Sequence, residues 1–121
     1  MKYVMMICSD EVAEAKMSPQ EMGAMMQAYG AFTNEVTQAG IYHGGEALHP
    51  TTTATTVRVR GGEVLTTDGP FAETKEQIGG FYLLDCKNLD EAIQWAAKIP
   101  SAKHGTIEIR PVMDFSQSAQ A

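Results

Sequence analysis

Basic residues are scarce: nine Lys and Arg stand against fifteen Asp and Glu, giving a formal net charge of −6 over 121 residues. The nine are scattered, with no run that could track a line of phosphates, so nucleic acid and anionic membranes are excluded as expected partners. Cysteine is almost absent. Cys8 and Cys86 are too few for a disulfide framework; each ends an apolar stretch, where a free thiol packs as a small hydrophobe. The apolar stretch at residues 3–8 is far short of the ~20 residues that cross a bilayer. It is also short for a signal peptide and has no small-residue cleavage site after it, so a cytoplasmic location is expected. There is no nucleotide-binding glycine fingerprint, P-loop, Gly-x-Ser-x-Gly elbow or CxxC motif. What remains is an ordinary globular balance, 44% hydrophobic and 20% charged, in a length that suits one domain.

Residues 3–8 read as a buried central strand. After an Ala-rich polar stretch, Ser18-Pro19-Gln20-Glu21 announces a helix: Ser18 as N-cap, Pro19 at the first helical position, Glu21 closing a capping box. Met22, Met25, Met26, Tyr29, Phe32 and Val36 recur at helical spacing and are expected to pack into the core, and Gly40 ends the helix. A short strand follows over 41–48, with Gly44-Gly45 marking a bulge or a close backbone approach. Residues 55–60 and 63–67 alternate around Gly61-Gly62 as a hairpin, which sets Arg60 opposite Glu63. A further strand is expected over 80–86. A second helix is capped by Asn88 and stopped by Pro100, with Leu89, Ala92, Ile93, Ala96 and Ile99 as its buried stripe. The last strand spans 106–112. The domain is expected to cover 1–115, leaving a small, polar, frayed tail over 116–121.

The order is an α+β pattern: a ferredoxin-like βαββαβ with an inserted hairpin. Two helices cover only one face of such a sheet. The strand at 81–86 is apolar on both faces, which implies burial on both sides. A homodimer stacked sheet to sheet is therefore expected, with Arg58, Tyr82, Glu108 and Arg110 converging near its interior.

The loop over 68–79 concentrates charge. Asp68 and Glu73 supply two carboxylates, Lys75 a cation and Gly69 a flexible backbone. Paired carboxylates beside a cation can have split pKa values, as acid–base work requires. Asp68 and Glu73, with His49 as a lone general base, are the candidate catalytic residues. Glu46, Arg58, Lys75, Tyr82 and Arg110 are the candidate ligand-binding residues. Asp68 could equally hold its own turn, and Glu73 and Lys75 could be a solvated helical turn. No metal site is expected, because alternation on a strand puts Glu46 on the opposite face from His43 and His49.

Asp68-Gly69-Pro70-Phe71-Ala72-Glu73-Thr74-Lys75-Glu76 resembles the DGPF-domain branch of the YCII-related proteins. So do Gly44-Gly45-Glu46-Ala47-Leu48, Gly79-Gly80-Phe81-Tyr82 and Ile107-Glu108-Ile109-Arg110-Pro111. The resemblance runs over nearly the whole chain and implies a dimeric α/β-barrel of ferredoxin-like subunits. Simpler members pair a histidine on the first helix with an aspartate. This chain has no histidine between Ser18 and Gly40 and carries Ile99-Pro100 where those members tend to have Asp-Pro, so the proposed dyad is missing. Two functions are consistent with the resemblance. One is a cofactor-free site for a small polar metabolite, with or without acid–base chemistry. The other is a non-catalytic module associated with an extracytoplasmic-function sigma factor.

Overall fold

A computed structural model of the chain describes residues 1–118. Its elements are β1 (Lys2–Ser9), α1 (Glu11–Glu14), α2 (Pro19–Gln38), β2 (Tyr42–Ala47), β3 (Thr55–Arg60), β4 (Glu63–Asp68), β5 (Gln77–Asp85), α3 (Leu89–Ala96), β6 (Thr106–Pro111) and α4 (Phe115–Ser118). Short 3₁₀ turns lie at Thr51–Thr53 and Pro100–Lys103. Four strands form one antiparallel sheet in the order β2-β5-β1-β6. This is the ferredoxin-like α+β layout. The hairpin β3–β4 stands as a separate two-stranded sheet. Of the tail expected over 116–121, residues 116–118 belong to the α4 turn, and 119–121 lie outside the described residues. No helix among the described residues is long and apolar enough to cross a membrane.

Strand parity decides the faces. Tyr3, Met5, Ile7 and Ser9 of β1 and Tyr82 and Leu84 of β5 are buried toward the helices, with Ile107 and Ile109 of β6 beside them. Val4, Met6, Cys8, Phe81 and Leu83 are half-buried on the other face, which no helix among the described residues covers. Phe32 and Val36 of α2 and Ala92, Ala96 and Ile99 at and after α3 close the core. Fully burying a side chain such as Met5 or Leu84 contributes about 1.5–3 kcal/mol.

Helix α2 begins as the sequence implies. The Glu21 amide donates to Ser18 Oγ and the Ser18 amide to Glu21 Oε1, each at 3.1 Å. The Met stripe is less buried than expected. Phe32 and Val36 are core residues, but Met22 is 51% and Met26 73% exposed, and Met25 and Tyr29 are half-buried. No residue in the first half of this 20-residue helix is itself buried. The stripe of α3 is also narrower than expected, because Leu89 and Ile93 are half-exposed on a helix of only eight residues. Trp95 takes up that edge, with its ring edge-on to Phe32 and Lys98 above it.

The glycine signals behave as expected. A register irregularity between Tyr42 and Gly44 bulges β2. Gly61 and Gly62 both have positive φ, 58° and 81°, as a primed two-residue hairpin turn requires. Arg60 and Glu63 are register partners, but the guanidinium turns back to the Val59 carbonyl at 3.0 Å.

Candidate functional site

A cleft of about 300 Å³ opens on the helix side of the sheet, between α2, the edge strand β2 and its neighbour β5. Its walls come from six segments. Met25, Tyr29 and Thr33 line it from α2, Tyr42 and Glu46 from β2, and Tyr82 from β5. Ser9 at the end of β1, Glu14 of α1 and Ser101 in the 3₁₀ turn close the far end. The glycines explain why the space is open. Gly45 and Gly80 also line it. A Cβ on Gly45 would meet the Phe81 carbonyl oxygen at 2.7 Å, and one on Gly80 the Glu46 carbonyl oxygen at 2.8 Å. The two strands come together there as bare backbone, and no side chain rises from either position to fill the volume.

Polar side chains meet in pairs along the cleft. Thr33 Oγ1 and the Tyr82 hydroxyl share a hydrogen bond of 2.7 Å, and the Tyr29 hydroxyl and Ser101 Oγ one of 2.5 Å. The Ser9 hydroxyl donates to Glu14 Oε1. Burial pushes the phenol pKa of Tyr29 up, and the charges of Tyr82 and Glu14 add to the rise against the hydrogen bonds from Ser101. Burial likewise raises Tyr82, against its bond to Thr33. Both phenols therefore stay protonated at neutral pH and serve as hydrogen-bonding groups, not as bases.

Glu14 reaches the cleft through a local device. Asp10 caps α1, accepting from the amides of Val12 at 3.0 Å and Ala13 at 3.3 Å. The same turn is held from outside: Gln77 Oε1 accepts from the Glu11 amide at 3.0 Å. The Glu11 carboxylate in turn accepts from the Thr51 amide at 2.8 Å and hydroxyl at 2.7 Å.

Two of the residues singled out from sequence, Glu46 and Tyr82, line this cleft, Glu46 from a position paired with Phe81, which turns its side chain to the other face; the other six do not line it. His49 is exposed just before the Thr51–Thr53 turn. Asp68 ends β4 opposite Thr55 and is exposed, and the strand end beside it is closed by the Gly69 amide on the Ala54 carbonyl at 2.7 Å. Glu73 and Lys75 are exposed in an irregular loop, not a helical turn. Arg58 sits on the exposed hairpin. Arg110 is on the uncovered sheet face with Glu108, opposite to the face of Tyr82, so the expected convergence of Arg58, Tyr82, Glu108 and Arg110 does not occur within one chain. His43 lies 3.8 Å from an Asp85 carboxylate oxygen. No three His, Cys, Asp or Glu residues stand together as a metal-binding group among the described residues.

Neither cysteine is a nucleophile of the activated kind. Burial raises the pKa of Cys8, with Glu108 and Glu76 pushing it further, and burial also raises Cys86. A wider groove at the opposite end, about 820 Å³, is lined by Met1, Lys2 and residues around α4, most of them exposed. It holds no converging set of buried polar groups among the described residues.

Residues 1–116 match the YCII-related domain. The chain is also 40% identical over 114 residues to the uncharacterised protein R00369 of Rhizobium meliloti (strain 1021), covering 93% of this chain and 92% of that one. The chain therefore belongs to the YCII-related family.

Proposed function

We propose that this YCII-related protein binds a small molecule in the cleft between α2 and the β2–β5 edge, and that it does so as a homodimer without a cofactor. One observation carries the reading: two glycines at contact distance from neighbouring backbone keep about 300 Å³ open beneath paired hydroxyls and phenols. That volume is at the small end of ligand sites. A packing defect would not gather Ser9, Glu14, Tyr29, Thr33, Tyr82 and Ser101 from five separate segments. Any acid–base step at this site falls to Glu14, the half-buried carboxylate in it. A regulatory module for a sigma factor has no need of such a cleft, which favours the small-molecule reading.

The homodimer rests on uncovered apolar surface. Val4, Met6, Phe81 and Leu83 face no helix among the described residues. Val57, Val59 and Val64 of the hairpin are 62%, 57% and 68% exposed and share one face. A second copy stacked on the sheet would cover surface that a monomer leaves in water.

The test is a thermal-shift screen of polar metabolites on the parent chain and on Met25→Trp, which fills the cleft from its half-exposed rim. Ligands that stabilise the parent should lose their effect on the variant. Equal stabilisation of both would put the ligand elsewhere.

A further inference from the structure

We infer that the ligand this cleft is built for carries a positive charge: a small organic ammonium with an apolar body. The inference rests on the cleft being the ligand site and adds the charge class of what enters it. Among the described residues lining the cleft there is no lysine, arginine or histidine, and Glu14 brings a carboxylate to it; Glu46 pairs in register with Phe81, so its carboxylate belongs to the other face of the sheet. Glu14 is half-buried, and one of its oxygens is taken by the Ser9 hydroxyl. The other accepts from no donor among the described residues. A carboxylate drawn part-way out of water gains most from a charged donor.

The remaining walls suit the rest of such a ligand. Tyr29, Tyr42 and Tyr82 bring three aromatic rings, whose π-systems attract cations, and Met25 brings a polarisable thioether. An anion would face Glu14 with no cation among the lining residues to offset it. A neutral ligand would leave the free oxygen of Glu14 without a charged partner. The chain's net charge of −6 draws cations toward the surface in any orientation.

Benzylamine, benzyl alcohol and benzoate share a ring and differ in charge at pH 7, so their binding to the parent chain by isothermal titration isolates the charge term. Benzylamine should bind tightest and benzoate not at all. Glu14→Gln keeps the Ser9 bond available and should weaken benzylamine about tenfold while leaving benzyl alcohol unchanged. Benzyl alcohol or benzoate binding as tightly as benzylamine, with Met25→Trp abolishing the binding, would overturn the charge assignment and leave the cleft reading standing. No binding by any of the three would overturn both. Should Glu14→Gln fail to fold by circular dichroism, the ranking of the three probes on the parent chain decides in its place.

Discussion

The Thr33 hydroxyl on α2 and the Tyr82 phenol on β5 share a hydrogen bond of 2.7 Å that ties the middle of the long helix to the sheet beside the cleft. The Tyr82 ring is fixed further by Phe32 edge-on at 5.0 Å and by Tyr42 at 6.2 Å. Thr33→Val keeps the shape and removes the hydroxyl. It should lower stability by about 1 kcal/mol, the net worth of one hydrogen bond. Urea denaturation measures this, and an unchanged midpoint would mean the bond adds nothing net.

The capping box of α2 gives a second test. Ser18→Ala should cost about 1 kcal/mol. The Glu21 carboxyl pKa is lowered, first by the Ser18 backbone amide and then by the Ser18 side chain. A depressed carboxyl adds stability that is present above its unfolded pKa and lost as pH falls through the folded one. The parent should therefore be more stable than Glu21→Gln at neutral pH, and the difference should vanish below the carboxylate range. A difference that persists in acid would contradict the box.

The buried phenols act at the other end of the pH scale. Tyr29 and Tyr82 are raised by burial, so the stability they carry is complete below the unfolded tyrosine value, about pH 10. It is lost as pH rises through their folded values. An ultraviolet alkaline titration should show Tyr29→Phe and Tyr82→Phe each removing a late-titrating group. Removal of an early-titrating group instead would place that ring in solvent.

The charged loop is expected to be neutral toward both folding and the cleft. Glu73 and Lys75 are exposed and line no part of it. Glu73→Gln and Lys75→Met should leave stability within about 0.5 kcal/mol, and the cleft-binding probes should bind both variants as they bind the parent. Early unfolding would make the loop structural. Weakened binding would join it to the ligand site.

Much of the fold is legible because its signals are local. Ser18-Pro19-Gln20-Glu21 marks the start of α2 to the residue, Gly61-Gly62 marks the hairpin turn, and the order of elements already implies the ferredoxin-like sheet. Asp10 capping α1 has a local signal too, since an Asp stands directly before Glu11, yet a four-residue helix shows no periodicity to back it. The cleft is harder to read for a physical reason. Tyr29 and Met25 share a helical stripe with Phe32 and Val36, and periodicity says only that a face is apolar, not whether protein or open volume lies beneath it. Ser9 and Glu14 are near neighbours in sequence, but Ser101 joins them only when the fold brings two distant segments together. A cluster of charges on one loop is visible in sequence, but whether such a loop borders a cleft is not, and Asp68, Glu73 and Lys75 are exposed and line no part of this one. Tyr82 was separable from Arg110 only by register: β1 pairs Met5 with both Tyr82 and Ile109, which sends Arg110 to the other face.

Methionine methyl groups offer the most direct reading of where a ligand sits. Met25 lines the cleft, Met6 lies on the uncovered face of the sheet, and Met113 lines the groove at the opposite end. In a chain labelled at its methionine methyls and titrated with benzylamine, the Met25 resonance should shift in proportion to occupancy while Met6 and Met113 stay still. A shift at Met6 or Met113 with Met25 unmoved would place binding outside the cleft and contradict the account.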